Sequence, residues 1–62
     1  MSQFNCKFTS KALAYLFIDW LVENQYDFRR EIHPGENIFV VECYTEPRAK
    51  AIVDWMDAHK AA

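Results

Sequence analysis

The sequence predicts an α+β protein with the element order β-α-β-β-α, a three-stranded sheet in the order 1-3-2, and both helices on one face of that sheet. Three observations predict this fold class. Two strand-like runs flank a segment of helical periodicity, a proline-glycine turn joins the second run to a third, and a second helical segment follows. We therefore expect a single α+β domain over residues 1–62.

The first run, QFNCKFT, predicts a strand near the start of the chain. Phe4, Cys6 and Phe8 alternate with polar residues, which is the period of a half-buried strand. Cys6 and Cys43 both lie in strand-like runs, and neither belongs to a CxxC or Cys/His spacing typical of zinc sites. We therefore expect two reduced, buried thiols and no cofactor.

A helix is predicted from about Lys11 to Gln25, because the hydroxyl of Thr9 or Ser10 can accept a hydrogen bond from the free amides of a first turn. Its apolar arc is wider than a surface helix needs. Part of that arc should cover the sheet, and another part should contact the second helix or another molecule. The residues predicted to point inward are Leu13, Ala14, Phe17, Trp20 and Leu21.

Two further strands form a predicted hairpin around the turn HPGEN. In the second strand, YDFRREIH, Phe28 and Ile32 should point inward, and Arg30 on the same register places this strand at an edge of the sheet. Pro34 favours the second turn position, and Gly35 supplies a positive φ angle. The third strand, NIFVVECYT, is the most apolar and β-branched stretch, which indicates a central strand.

A second helix is predicted from Thr45, as its cap, to about His59, with Pro47 tolerated in the first turn. A right-handed crossover between the first two strands then places the third strand between them. This topology resembles a ferredoxin-like fold without its last strand, and the resemblance carries no family motif. It implies a free edge on the first strand. The inward residues predicted for the second helix are Ala49, Ile52, Val53, Trp55 and Met56.

Two surfaces of the predicted sheet could contact a partner. The unpaired edge of the first strand is a template for another strand. The helix-free face, opposite the two helices, carries an apolar strip inside a charged rim, as contact sites do, although ordinary exposed β-branched residues would give the same pattern. The predicted partner-binding residues are Asn5, Lys7, Arg29, Glu31, His33, Ile38, Val40 and Tyr44.

Composition and motifs narrow the classes of function. Seven Lys and Arg residues oppose nine Asp and Glu residues, and the resulting net charge of −2 supplies no positive field for nucleic acid. The sequence has no secretory signal and no apolar run near the roughly 20 residues of a membrane span, so we expect a cytoplasmic protein without a membrane role. His33 and His59 lie far apart and no catalytic or metal motif is present, so we expect no enzyme activity.

The sequence thus favours a small non-enzymatic protein-protein interaction module, which binds either a larger protein or a second copy as a homodimer. Small proteins without motifs include inhibitors and regulators of host proteins that phages and mobile elements encode. Two alternatives stay open. One is a nucleic-acid-binding regulator that uses the helix-free face, where Tyr44 is the clear aromatic residue; the other is a dimeric metabolite-sensing module, although FTSKA after the first strand contains neither glycine nor aspartate.

Overall fold

The order of the helices and strands is the predicted one. The computed structural model describes the backbone of residues 2–60 and the side chains of residues 3–59. The central strand pairs antiparallel with both neighbours, in the order β1-β3-β2, which confirms the α+β class and the truncated ferredoxin-like topology. The elements are β1 (Ser2–Phe8), α1 (Lys11–Glu23), β2 (Asp27–His33), β3 (Glu36–Cys43) and α2 (Glu46–Lys60).

The hydrophobic core lies between one face of the sheet and both helices. Phe39 of β3 is fully buried against Phe17 and Leu21 of α1 and Ile52 of α2, so both helices cover the same face, as predicted. The ring centre of Phe17 lies 5.6 Å from that of Phe39 and 4.9 Å from that of Trp55. All five inward residues predicted for α1 pack in this core or against it. Each fully buried large side chain stabilises the fold by about 1.5–3 kcal/mol.

Both ends of α1 are fixed by hydrogen bonds to its free backbone groups. Ser10, one of the two predicted caps, accepts a bond from the amide of Leu13 at 3.4 Å. The helix ends two residues before the predicted Gln25, because that residue adopts a φ of +57°. The next amide, of Tyr26, donates to the carbonyl of Leu21 at 3.0 Å, which completes a Schellman C-cap.

A two-residue turn joins β2 to β3. Gly35 has a φ of +77°, and Pro34 precedes it, in agreement with the prediction that Pro34 takes the second turn position and Gly35 a positive φ. The register of the hairpin pairs His33 with Glu36 directly across the turn. This turn fixes the alignment of β3, and β3 in turn aligns β1.

The prediction that β2 is an edge strand is confirmed, but one of its inward residues is not covered. Arg30 donates from Nη2 and Nε to the side-chain oxygen of the buried Asn37, at 2.7 and 3.3 Å. Phe28 packs against the core, whereas Ile32 is 73% exposed. Val53 of α2, also predicted to point inward, is 44% exposed. Sequence periodicity correctly predicted which face of the sheet Ile32 belongs to, but it wrongly predicted that Ile32 and Val53 are buried.

The two cysteines are buried and free, as predicted. Burial, with a smaller contribution from the neighbouring Cys43, raises the pKa of the Cys6 thiol to about 11. Burial likewise raises the pKa of Cys43. Both side chains therefore pack as neutral, small hydrophobic groups at physiological pH.

A polar cluster that the sequence did not predict joins the end of α1 to α2. The Nη2 atom of Arg48 donates to the carbonyl oxygens of Asn24 and Gln25, each at 2.9 Å. The same guanidinium lies 3.9 Å from the centre of the Tyr26 ring, which stacks on Trp20, and the Tyr26 hydroxyl donates to the Arg48 carbonyl at 2.9 Å. These contacts hold α2 against the carboxyl end of α1.

Candidate functional site

The predicted partner-binding residues all come from the strands and their ends, and the register places them on the helix-free face. Tyr44 lies just beyond β3, where its hydroxyl donates to Asp27 at 3.0 Å, and His33 lies at the opposite end beside Glu36. Two rows cross the middle of the face: Asn5, Val40 and Arg29 in one, and Lys7, Ile38 and Glu31 in the next. The structure therefore brings the eight residues together on one surface.

Polar side chains on the helix-free face pair with one another. Glu31 lies 3.3 Å from Nε of Arg29 and 3.5 Å from Nε2 of His33, and hydrogen bonds from these two residues lower the pKa of its carboxyl. Lys7 lies 3.1 Å from Glu36. Exposed pairs of this kind contribute little to stability, because solvent screens them. A partner could therefore exchange them for its own polar groups at little cost.

The charge of the helix-free face is negative. Two of its carboxylates lie at one end of the face and accept hydrogen bonds from uncharged side chains. Glu42 accepts from Gln3 at 2.7 Å, and Asp27 accepts from the Tyr44 hydroxyl, whose pKa this bond raises. With His33 neutral, four carboxylates against two cations leave a net charge of −2 on this face, which equals the net charge of the whole chain. The charged residues are Asp27, Glu31, Glu36, Glu42, Lys7 and Arg29.

The centre of the helix-free face is less accessible than the sequence indicated. Val40 is only 6% exposed although no helix covers it, and its row neighbours Asn5 and Arg29 flank it on both sides. Ile38 is half-buried, and it lines an open, shallow depression together with these residues. A partner that contacts Val40 must first displace the polar side chains around it.

The outer side of β1 is unpaired in the part of the chain that the structure describes. Across the two-residue turn, the backbone N–H and C=O groups of Glu36 bond to those of His33 on β2. Successive residues of a central antiparallel strand form their backbone hydrogen bonds alternately with one neighbouring strand and the other. The odd-numbered residues of β3 therefore bond to β1, where their partners are the even-numbered residues. The free edge carries the N–H and C=O groups of Gln3, Asn5 and Lys7.

Of the three inner-face side chains of β1 that the structure describes, two are buried and the third, Phe4, is partly buried against the core. Cys6 is 4% exposed and Phe8 is 6% exposed, close to the values in the central strand. At the other edge of the sheet, Phe28 is partly buried like Phe4, whereas the inner-face side chains of Arg30 and Ile32 are exposed. The helix layer is therefore displaced towards β1.

An apolar flank of α2 lies at this border. Trp55 faces α1, and helical periodicity places Ala49, Val53 and Met56 on the flank turned away from α1. A groove of about 210 Å³ lies at the end of β1, where Phe8 and Leu13 of α1 line it together with Trp55 and Met56 of α2. We name the following set the β1 edge site: the free backbone groups of Gln3, Asn5 and Lys7, with the apolar flank formed by Ala49, Val53 and Met56.

Sequence reasoning found the free edge and the helix-free face, but it did not find the α2 flank. It assigned Val53 to the core because this residue shares an apolar arc with Trp55. That arc spans about 160° at 100° per residue, which is more than a helix needs to cover an edge strand. The width of the arc was the signal in the sequence that could have identified the flank.

No protein-family model, no curated protein and no solved structure matches the chain. Among the described residues, no group of three or more His, Cys, Asp or Glu side chains could hold a metal ion. None of the described helices combines the length and the apolar character needed to cross a membrane. The geometry of the chain itself is therefore the basis for its functional interpretation.

Proposed function

We propose that this chain is a non-enzymatic protein-interaction module that docks a partner at the β1 edge site. The observation that carries the proposal is an unpaired edge strand whose inner face is buried at Cys6 and Phe8. The backbone of Gln3, Asn5 and Lys7 offers donors and acceptors to a neighbouring chain. Main-chain pairing at such an edge supplies affinity, and flanking side chains supply specificity.

The helix-free face extends the contact beyond the edge. A stable interface buries about 800 Å² on each partner, nearly a fifth of the 4390 Å² surface of this chain, which is more than one strand edge offers. Lys7 on β1 and Arg29, across the face on β2, both form weak, exchangeable pairs. Their displacement by complementary groups of a partner would add area and fix the register.

The charge and shape of the helix-free face favour a protein over the other classes of partner. Its excess of carboxylates opposes a phosphate backbone, and its depression is open, whereas small-molecule sites enclose most of their ligand. An inhibitor of a larger protein, of the kind that phages encode, is one form that such a module takes. That role and a cytoplasmic location stay predictions.

Two matched proline substitutions test the proposal. Asn5→Pro removes an outward N–H group from β1, and Ile32→Pro removes the equivalent outward group from β2, so neither breaks a bond within the sheet. Proteins captured from a host lysate by each variant would be compared by quantitative mass spectrometry. We expect Asn5→Pro to reduce capture of a specific partner at least about tenfold, and Ile32→Pro to leave it unchanged.

Circular dichroism and thermal unfolding of both variants provide the control for folding. Equal capture by the two folded variants would show that the β1 edge is not used. Loss of capture by Ile32→Pro alone would assign the contact to β2. Either result would overturn the proposed function.

A further inference from the structure

We infer that the β1 edge site accepts one extended segment of a partner protein, which would form a fourth strand beneath α2, and that it does not accept a second copy of this chain. This inference rests on the proposed function, because it identifies the kind of partner that the β1 edge site binds. Three features of the molecule support it: the width of the two layers, the displacement of the helices, and the chemistry of the border.

The helix layer is wider than the sheet by about one strand. Two packed helices of roughly 10 Å diameter cover about 20 Å. Three strands spaced about 4.8 Å apart cover only about 14 Å, whereas four would cover about 19 Å. One additional strand therefore matches the two layers.

The surplus width lies on the side of β1. The helices bury Cys6 and Phe8 on β1 and leave Phe4 partly buried, whereas they leave Ile32 exposed on the opposite edge. The flank of α2 beyond that border leaves Val53 44% exposed. A strand added to β1 would lie under this flank, and a strand added to β2 would find no cover.

A second copy does not fit the same space. Two-fold symmetric, antiparallel pairing of β1 with its copy keeps the helices of both copies on one face. Each α2 would then lie over the same pair of strands, so about 20 Å of helix would compete for about 10 Å of sheet. Separating the helices to avoid this overlap opens the β1 pairing.

The border also defines the chemistry of the segment. Matching the span from Gln3 to Lys7 requires about five extended residues, or roughly 17 Å. Side chains directed towards Ala49, Val53 and Met56 should be apolar, and the alternate side chains, on the helix-free face, should be polar. An acidic side chain opposite Asn5, and so diagonal to Lys7, would complement the charge of Lys7. The preferred segment is therefore amphipathic, with a period of two residues.

A tethered strand tests this inference directly. We would append the segment VTVEVTV to the full chain through a glycine-serine linker of about six residues, which holds it near the edge at millimolar effective concentration. Amide hydrogen exchange followed by NMR is the measurement. We expect amide exchange at Gln3, Asn5 and Lys7 to slow at least about tenfold. Amide exchange at Arg30 and Ile32, whose backbone N–H groups point away from β3, should stay unchanged.

The matched control carries VTVPVTV in place of VTVEVTV, because a central proline removes a pairing N–H group from the tethered strand. We expect it to give no protection. Unchanged exchange on β1 with VTVEVTV, or protection that appears on β2, would overturn the inference. The proposed function would survive either result as long as Asn5→Pro still abolishes partner capture.

Sedimentation of the unmodified chain tests the exclusion of a second copy. We expect a monomer from about 10 μM to about 1 mM, the range in which weak dimers form. A dimer that Asn5→Pro dissociates and Ile32→Pro does not would overturn the single-strand inference, while it would support protein docking at the β1 edge. The two failures are therefore distinguishable.

Discussion

The two edges of the sheet are covered differently. At β1 the inner-face residues Cys6 and Phe8 are buried and Phe4 is partly buried, and Lys7 is the only charged side chain on the strand. At β2 the inner register carries the exposed Arg30 and Ile32, and an inward-register charge is a known means of preventing strand addition. This difference in helix cover, more than any difference in strand sequence, is why we propose that a partner continues the sheet at β1 and not at β2.

The largest expected difference between the two edges is in the stability lost when an apolar inner-face residue is truncated to alanine. Phe8→Ala should lower the free energy of unfolding by about 3–5 kcal/mol, because it removes a ring that contacts Phe17, Phe39 and Trp55. Ile32→Ala should change it by no more than about 0.5 kcal/mol. Urea unfolding of both variants is the measurement. Similar losses at the two sites would contradict the displaced helix layer.

The position of α2 should depend on the cluster around Arg48. Arg48→Met keeps the apolar stem and removes both bonds to the end of α1, so we expect a loss of about 1–3 kcal/mol in the free energy of unfolding. Lys50→Met is the matched control, since it removes only the exposed pair with Asp54. If the two variants lose equal stability, the cluster does not anchor the helix that covers β1.

The stability contributed by the two edges should depend on pH in different ranges, alkaline for β1 and acidic for β2. Burial raises the pKa of Cys6 to about 11 from an ordinary value of 9.0. The neutral thiol stabilises the folded state fully below pH 9, and this contribution is lost as the pH rises from 9 to 11, because the unfolded thiol ionises first. Stability measured across that range should fall less steeply for Cys6→Ala than for the parent chain. Identical slopes would contradict a buried, neutral thiol at the β1 edge.

The smallest effect is expected at the β2 edge in acid. Hydrogen bonds from Arg29 and His33 lower the pKa of Glu31 below its ordinary value of 4.5. The ionised carboxylate therefore contributes stability above pH 4.5, and this contribution is lost as the pH falls through the lowered pKa. Glu31→Gln should flatten this small acid-side loss, and Glu23→Gln on α1 serves as the control. No difference between the variants would show that the exposed pairs contribute nothing.

Much of the fold could be predicted from the sequence because it follows from local rules. The alternation around Cys6, the cap at Ser10 and the turn at Gly35 each depend on a few neighbouring residues. The strand order followed from chain handedness. The bounds of the elements were correspondingly close, except where the φ of Gln25 ends α1 early.

The features that escaped prediction depend on residues far apart in the chain. Periodicity gives the register of Ile32, but the lateral position of a helix over the sheet decides whether that residue is covered. Val40 is buried by polar side chains from two other strands, and Arg48 bonds to carbonyl groups more than twenty positions earlier. The candidate site was therefore predicted as a face and an edge, and its apolar flank was not.

The strand that lies in the middle of the sheet is the last of the three to be synthesised. At translation rates of about 5–20 residues per second, β1 leaves the ribosome roughly 2–7 s before β3 is complete. Throughout that interval β1 has no neighbour on either side. The strand that waits longest for a partner in the nascent chain is thus β1, whose outer side is also unpaired in the folded molecule.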